Sequence, residues 1–231
     1  MGWRRPWLLL PALLAGCATP TFDNAPRNVP VTPAFVAQAA KPRDIVGERV
    51  IGLSLSGGGL RAAAFGLGVL QALASDDAPE ADVFDELTFI SSVSGGSLTA
   101  AYVGLHGRSG LLHFRERVLL QDLERDLRLD WLSPSSLSRL VAGGLNDRSN
   151  LALRLDTEVF RGATFADLYR RNKPDVWINA TDLYHRIPFP FTPPAFLALC
   201  SDLSALPVSE AVAASMAVPL VFVPVVLRTH P

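Results

Sequence analysis

Two short stretches rich in glycine and serine each lie between an apolar strand pattern and a helical pattern. The first, Ser56-Gly57-Gly58-Gly59-Leu60-Arg61, follows the strand pattern of residues 50–55. The second, Ser92-Val93-Ser94-Gly95-Gly96, completes the strand pattern of residues 87–93 and leads into a helix. A strand followed directly by a helix is the unit from which parallel sheets are built.

Three strand patterns and two helical patterns define the predicted fold. A third strand pattern covers residues 175–180, and mostly apolar helical patterns cover residues 60–74 and 97–105. We therefore predict an α/β protein with three layers, α/β/α, and a mostly parallel central sheet with helices on both faces. Ser94 would lie at the carboxyl end of its strand, where open α/β sheets bind ligands.

The second stretch predicts a serine nucleophile on a sharp turn. Acyl transfer needs a hydroxyl that projects from such a turn, with small neighbours so that the turn can close and a substrate can approach. Ser94 occupies the central position, and Ser92, Gly95 and Gly96 are the small neighbours. Ser92 replaces the first glycine of the usual Gly-X-Ser-X-Gly pattern. A structural turn is the alternative interpretation of this stretch taken alone.

The first stretch predicts an oxyanion loop. Three glycines, Gly57, Gly58 and Gly59, allow the backbone to turn its N–H groups outward at the start of a helix, where the dipole favours a negative oxygen. Arg61 adds a positive charge beside them. No Gly-Lys-Ser/Thr sequence or Gly-X-Gly-X-X-Gly fingerprint follows, so nucleotide binding is not predicted. A tight turn without a ligand is the remaining alternative.

These residues resemble the patatin-like phospholipases. That family combines a Gly-Gly-Gly-X-Arg/Lys loop, a Gly-X-Ser-X-Gly turn and an alanine-rich helix that runs into proline. The third element is similar to Glu210-Ala211-Val212-Ala213-Ala214-Ser215-Met216-Ala217-Val218-Pro219, followed by Phe222 and Pro224, and Asn179-Ala180-Thr181-Asp182 is also similar to family members. The resemblance covers about residues 48–228. It implies a serine lipid acyl hydrolase that acts on a phospholipid or another acyl ester, and no cofactor or metal is predicted.

The family's catalytic aspartate has no counterpart in this sequence. The resemblance implies a Ser/Asp dyad whose aspartate belongs to an Asp-Gly pair downstream of the alanine-rich block, and the chain contains no Asp-Gly pair. Three explanations are open: a fragment of a longer protein, a truncated inactive product, or a different base. The chain order Ser94, Asp182 or Asp202, His230 would suit a hydrolase triad.

Three functions follow from these features. The first is ester hydrolysis through an acyl-enzyme on Ser94. The second is a non-catalytic, membrane-anchored lipoprotein of the same fold, inactive for lack of the aspartate. The third is acyl transfer to an acceptor other than water, which would use the same residues.

The N-terminus predicts an exported lipoprotein. Arg4-Arg5 and the apolar run 7–15 have the build of a signal peptide over residues 1–16, and the run is too short to span a membrane. Leu14-Ala15-Gly16-Cys17 resembles the bacterial lipobox, which implies acyl chains on Cys17 and a membrane anchor. Ala18 favours the outer membrane over the inner one. An ordinary signal peptide with a chance cysteine is the alternative.

Downstream of Cys17, composition predicts a tether and one domain. Prolines are frequent in residues 17–47, which predicts a tether, and residues 48–231 then form the hydrolase domain, which the resemblance implies is incomplete at its C-terminus. The formal net charge is −1 and becomes −3 without Arg4 and Arg5. Such a balance argues against nucleic acid as a partner.

A set of apolar residues among prolines is predicted to pack in the core, and the alternative is that they dip into a bilayer or hold an acyl chain. They are Trp131, Leu132, Phe189, Phe191 and Phe196.

Overall fold

The computed structural model describes residues 25–40, 49–75, 83–121, 148–170, 174–218, 222 and 224–231. Its strands are β1 (Val29–Pro30), β2 (Ile51–Leu55), β3 (Leu87–Val93), β4 (Asp175–Asp182), β5 (Ile187–Phe191) and β6 (Ser201–Asp202). Its α-helices are α1 (Pro33–Ala39), α2 (Gly59–Leu73), α3 (Val83–Glu86), α4 (Gly95–His106), α5 (Arg108–Phe114), α6 (Arg148–Arg154), α7 (Phe165–Tyr169), α8 (Pro193–Ala198) and α9 (Val208–Met216). The segments Arg115–Leu119 and Leu155–Phe160 are π-helical.

Strands β2, β3, β4 and β5 form the main sheet in that order. β2, β3 and β4 run parallel, and β5 returns antiparallel to β4 as a hairpin. The pairing of β3 with β4 ends at Val93 and Asn179, so the carboxyl end of β3 lies beside the middle of β4. β1 and β6 form a separate antiparallel pair.

Helix α4 is the centre of the core. Its residues from Gly95 to Gly104 are all buried, and it packs against β2, β3 and β4 as well as against α2 and α9. The sheet presents Leu55, Ile90 and Ile178 among the buried residues of this core. A helix that is apolar on every side must be covered on every side, which explains why most of its residues are small or aliphatic.

The opposite face of the sheet carries larger and more exposed side chains. The rings of Phe89 and Trp177 stack with their centroids 4.5 Å apart. Gly52 lies beside Phe89 in the register of β2 with β3, and a side chain at Gly52 would overlap the Phe89 ring. Trp177 is 38% exposed.

The predicted fold class is confirmed. The sheet is mixed but mostly parallel and is flanked by helices, in agreement with the three-layer α/β/α class. The two predicted strand-to-helix turns lie between β2 and α2 and between β3 and α4. The third predicted strand is β4, which continues to Asp182.

The proline-rich stretch differs from the expected tether over residues 25–40. This part contains β1 and α1, and the side chain of Phe35 is only 2% exposed. Thr32 caps α1 by accepting a hydrogen bond from the Phe35 N–H at 3.2 Å. The correction has a simple cause, since prolines at the start of a helix and in a short edge strand are compatible with folding onto a domain.

Asn28 fastens this segment to the C-terminal part of the chain. Its side chain donates to the carbonyl of Arg228 at 2.6 Å and accepts from the Arg228 N–H at 2.8 Å. Arg27 adds an ion pair with Glu210 of α9 at 3.0 Å. The residues before Ala25 and residues 41–48 lie outside the described part of the chain, as do the predicted signal peptide and Cys17.

The suggested lipid contact by the phenylalanines is wrong, because they belong to the core. Phe191 is 2% exposed and Phe196 is fully buried. Phe189 is partly buried and packs edge to face on Phe191, with ring centroids 5.4 Å apart. Trp131 and Leu132 lie outside the described residues. No helix in the described residues is long and apolar enough to cross a bilayer.

Replacement of Phe35 tests whether the N-terminal segment is part of the folded unit. Phe35→Ala should lower the free energy of unfolding by about 3 kcal/mol, because it removes a buried aromatic ring. Val36→Ala, at a neighbouring position that is 46% exposed, should change it by less than about 0.5 kcal/mol. Urea denaturation measures both. Equal effects of the two substitutions would contradict the packing of α1 on the domain.

Candidate active site

Ser94 occupies a strained turn between β3 and α4. Its backbone angles are φ 53° and ψ −124°, a region that residues with a side chain rarely adopt. Such a conformation costs roughly 1–3 kcal/mol and persists only where surrounding contacts enforce it. The turn projects the side chain away from the strand, as the sequence predicts for a nucleophile.

The glycine loop lies directly against this turn. A Cβ built on Gly57 would stand 3.1 Å from the Cβ of Ser94 and 3.8 Å from its Oγ. Gly58 has a φ of 140°, which an L side chain could not adopt without strain. The loop therefore reaches the serine through bare backbone, as an oxyanion hole requires.

The beginnings of two helices meet at this point. α2 starts at Gly59 and α4 at Gly95, and a Cβ on Gly95 would overlap the carbonyl oxygen of Gly59. The first N–H groups of a helix have no partner within it. In the described part of the chain, the N–H groups of Gly57 and Gly58 donate no hydrogen bond either. Unpaired donors and two positive dipole ends thus converge beside Ser94.

Arg61 adds a positive charge to the first turn of α2. It is the third residue of α2, it is exposed, and the first turn of α2 contains no acidic residue. A cation there works against the helix dipole, which favours negative charge at a helix N-terminus. Its position is therefore unfavourable for the isolated helix and favourable for binding an anion.

A chain of polar contacts supports the turn from beneath. Ser92 is 1% exposed and donates to the carbonyl of Trp177 at 3.1 Å, while Ser97 donates to Ser92 at 3.2 Å. The Asn179 side chain donates to the carbonyl of Ser92 and to the hydroxyl of Ser91, both at 3.1 Å. Ser92 is therefore more than a small substitute for glycine, because its hydroxyl links β3 to β4 and α4.

Helix α9 also reaches the turn. The Ser215 Oγ accepts a hydrogen bond from the backbone N–H of Ser94 at 2.7 Å and donates to the carbonyl of Asn179 at 2.6 Å. It also lies 3.1 Å from the Ser97 hydroxyl. Sequence reasoning identified the alanine-rich block but gave Ser215 no role. The one signal was a lone hydroxyl in a run of alanines.

The triad through Asp202 and His230 is wrong. Asp202 lies in β6 and is 4% exposed, and its carboxylate accepts hydrogen bonds from the Thr32 hydroxyl at 2.6 Å and the Ser204 N–H at 2.9 Å. These contacts fasten β6 to the cap of α1. They hold the carboxylate at the small β1–β6 sheet, and none of them involves Ser94 or a histidine.

His230 lies at the same small sheet. Its backbone N–H donates to the carbonyl of Leu199 at 3.0 Å, and its ring Nε2 lies 3.3 Å from the carbonyl oxygen of Asn28. Neither contact involves Ser94. Among the described residues, no histidine ring or carboxylate forms a hydrogen bond with the Ser94 hydroxyl.

Asp182, the other candidate of that triad, organises the β4–β5 turn instead. Its carboxylate accepts from the N–H groups of Tyr184 at 2.8 Å and His185 at 3.1 Å and lies 2.7 Å from the His185 ring. Burial raises the pKa of Asp182, but the hydrogen bonds from His185 and Tyr184 outweigh this effect and hold the pKa below its ordinary value. An ionised Asp182 is thus explained by the turn.

The structure therefore brings most of the predicted site residues together. Ser94 and the Gly57–Gly59 loop lie against each other and against the buried Gly95 and Gly96, and Arg61 follows Gly59 by two residues in α2. Their catalytic roles stay predictions. Within the described residues there is no group of three or more histidine, cysteine, aspartate or glutamate side chains placed to hold a metal.

The chain was compared with protein families and with curated proteins. The model of the family described as patatin-like phospholipase matches residues 53–230, which is more than half of the chain. The matched region includes the last three residues of β2, the glycine loop, the Ser94 turn, β4 and α9. No curated protein matches the chain significantly.

The close approach of the two turns can be tested at Gly96. Its Cβ would lie 2.6 Å from the carbonyl oxygen of Leu55 and 2.7 Å from that of Ser56, so Gly96→Ala must displace backbone. We expect a loss of about 1–3 kcal/mol in the free energy of unfolding. Gly68→Ala, in α2 with no atom within 4 Å of the new methyl group, should instead gain about 0.5–1 kcal/mol. Urea denaturation of both variants checks the contrast, which equal stabilities would disprove.

Proposed function

Because the chain belongs to the patatin-like phospholipase family, we propose that it is a serine hydrolase of lipid acyl esters that works through an acyl-enzyme on Ser94. The observation that carries the proposal is the strained Ser94 turn pressed against the glycine loop. A strained backbone, unpaired amides and two helix N-termini at one point have little value for stability alone. They suit a reaction in which negative charge develops beside a serine.

The proposed reaction has two steps. The Ser94 Oγ attacks the ester carbonyl, the hydroxyl proton passes to a base, and the base gives this proton to the alcohol oxygen as the C–O ester bond breaks and the alcohol leaves. Water then attacks the acyl-enzyme and releases the fatty acid together with free Ser94. The oxygen of each tetrahedral intermediate would accept hydrogen bonds from the amides of the Gly57–Gly59 loop, with Arg61 adding positive charge.

The proton acceptor is not assigned to any described residue. The family pattern places an aspartate of an Asp-Gly pair in this role, and this sequence has no such pair. Asp182 and Asp202 are both committed to other hydrogen bonds. The proposal therefore assigns the nucleophile and the oxyanion donors from this chain's own residues.

Lipid esters are the substrate class that the family implies, and a glycerophospholipid is the substrate we propose. Its ester carbonyls are flanked by a phosphate, and an anion near the reacting carbonyl would be attracted by Arg61 and by the two helix N-termini. Acyl transfer to an alcohol instead of water would use the same residues.

A non-catalytic lipoprotein of this fold is the second candidate function. It is favoured by one observation, since no carboxylate or imidazole among the described residues forms a hydrogen bond with the Ser94 hydroxyl. A protein of this kind would bind lipid or an assembly partner without hydrolysing an ester.

We also propose that Cys17 carries acyl chains that anchor the protein to a membrane of the cell envelope, the outer membrane in preference. The support is the Leu14-Ala15-Gly16-Cys17 pattern after an apolar run. Two or more chains give a durable anchor. Since the folded part begins by about residue 25 rather than 48, the link would span at most about 28 Å. Such a link would keep the domain close to the lipid surface.

A fluorophosphonate probe tests the proposed nucleophile. The wild-type protein should be labelled at Ser94, and Ser94→Ala should abolish both labelling and turnover of a p-nitrophenyl ester. Ser109→Ala, which removes an exposed hydroxyl bonded to the carbonyl of His106, should label at the wild-type rate. Mass spectrometry of the labelled peptide locates the adduct.

Two results would contradict the hydrolase. Esterase activity retained in Ser94→Ala protein would exclude Ser94 as the nucleophile. Folded wild-type protein that no probe labels would favour the non-catalytic lipoprotein.

The anchor is tested by replacing Cys17. The intact mass of membrane-extracted protein should show residues 1–16 removed and acyl chains on Cys17, and Cys17→Ser should shift the protein to the soluble fraction. Cys200→Ser, at a partly buried free thiol, is the matched control and should leave the distribution unchanged. An unmodified Cys17 in membrane-extracted protein would contradict the lipobox interpretation.

A further inference from the structure

Ser215 joins the alanine-rich helix α9 to the backbone of the candidate nucleophile. Its Oγ lies 2.7 Å from the backbone nitrogen of Ser94, although 121 residues separate the two in sequence. We infer that Ser215 is a positioning residue, which holds the Ser94 amide and so keeps the strained turn in its reactive conformation. The inference rests on the proposed function, because it concerns the reactivity of the same serine.

The donors and acceptors around Ser215 leave it one arrangement. A carbonyl oxygen only accepts, so the Ser215 hydroxyl donates its single proton to the Asn179 carbonyl at 2.6 Å. The oxygen lone pairs are then free to accept, and the Ser94 N–H is the donor that reaches them. The remaining contact, with Ser97 at 3.1 Å, must use the Ser97 proton.

The hydrogen-bond directions of the other two hydroxyls, on Ser92 and Ser97, can be assigned in the same way. Ser92 donates its proton to the carbonyl of Trp177, so it too can only accept from Ser97. Ser97 therefore shares one proton between Ser92 and Ser215. Because both outer hydroxyls are fixed by carbonyls of β4, the position of the Ser215 oxygen is set by the sheet itself.

Both peptide groups of Ser94 are held by this arrangement. The N–H is bound by Ser215, and the carbonyl accepts from the Ser97 N–H at 2.8 Å. Fixing both groups fixes the direction of the Cα–Cβ bond, and with it the few rotamer positions that Oγ can take relative to Gly57. Without the Ser215 oxygen, the peptide before Ser94 is free to rotate toward a relaxed φ, and small displacements of a reacting atom slow a reaction strongly.

Helix stability does not explain a serine at this position. Alanine is the better helix former, and Ala213 and Ala214 precede Ser215 in α9. Replacing Ser215 by alanine, which removes only the hydroxyl, would leave the helix intact and would leave the Ser94 N–H without a partner. The hydroxyl therefore serves the turn more than it serves the helix.

Ser215→Ala tests the inference, with Ser209→Ala as its matched control. Ser209 lies in the same helix, is 2% exposed and donates to the Asp156 carboxylate at 3.0 Å, so its loss also removes one hydrogen bond of α9. Ser215→Ala should slow labelling of Ser94 by a soluble fluorophosphonate by about tenfold or more. The labelling rate of Ser209→Ala should stay within about twofold of the wild-type rate, even if its Tm falls by as much as that of Ser215→Ala.

Steady-state kinetics separate positioning from substrate binding. On a short soluble ester, Ser215→Ala should lower kcat and leave KM nearly unchanged, because the hydroxyl does not contact substrate. The isosteric pair Ser215→Thr and Ser215→Val gives a second comparison that does not depend on the alanine variant folding. The threonine variant keeps an oxygen and should label about tenfold faster than the valine variant.

Hydrogen exchange reads the contact without any catalysis. The Ser94 amide should exchange slowly in the wild type and much faster in Ser215→Ala, with the peptides around Ser209 unaffected. If the probe does not label the wild type, the proposed function is contradicted. Slow exchange of the Ser94 amide would then show only that its contact with Ser215 exists. If the wild type is labelled and Ser215→Ala is labelled at the same rate, the role of Ser215 is overturned. It is also overturned if the Ser94 amide exchanges at the same rate in Ser215→Ala as in the wild type.

Discussion

The structure depends on a contact between two backbones. The turn at Ser94 and the glycine loop after β2 approach so closely that a Cβ on Gly95 would overlap the carbonyl oxygen of Gly59. The placement of α2 and α4 relative to each other depends on this contact. α4 and α2 begin at the same point, they pack against each other along their length, and their N-termini point at the same space. A scaffold with side chains at these positions could not bring two dipole ends so near to one hydroxyl.

Strain at Ser94 and the polar contacts beneath it balance each other. The turn costs roughly 1–3 kcal/mol, and a typical hydrogen bond contributes about 1 kcal/mol net. The hydrogen bonds with Ser215 and Ser97 together contribute a free energy similar to this cost, so they can hold the turn in its strained conformation. The sheet supplies the Asn179 carbonyl, α4 supplies Ser97 and α9 supplies Ser215. The reactive conformation is therefore a property of the assembled core rather than of the five-residue turn.

Local sequence predicted the parts of the site that depend on local backbone geometry. The strand ends, the glycine loop and the position of Ser94 all follow from strand-to-helix transitions, whose signals lie within a few residues. Ser215 was missed as a site residue, because its partner is 121 positions away and nothing near it in sequence reveals that contact. The predicted tether extends too far along the chain, because proline content predicts local stiffness but does not reveal whether Phe35 packs in the core. Asp202 failed as a triad member for the same reason, because chain order does not reveal which sheet a carboxylate joins.

Arg61 is the residue whose placement the fold by itself does not explain. A cation in the first turn of α2 opposes the helix dipole, and no ion pair in the described residues compensates it. Exchange for a neutral or acidic residue would favour the helix. The cost becomes useful only when an anion occupies the space between the two helix N-termini, because the same charge then adds to the amides of Gly57 and Gly58. The features that weaken the fold at this corner, a strained serine and a misplaced cation, are the ones that a developing oxyanion would need.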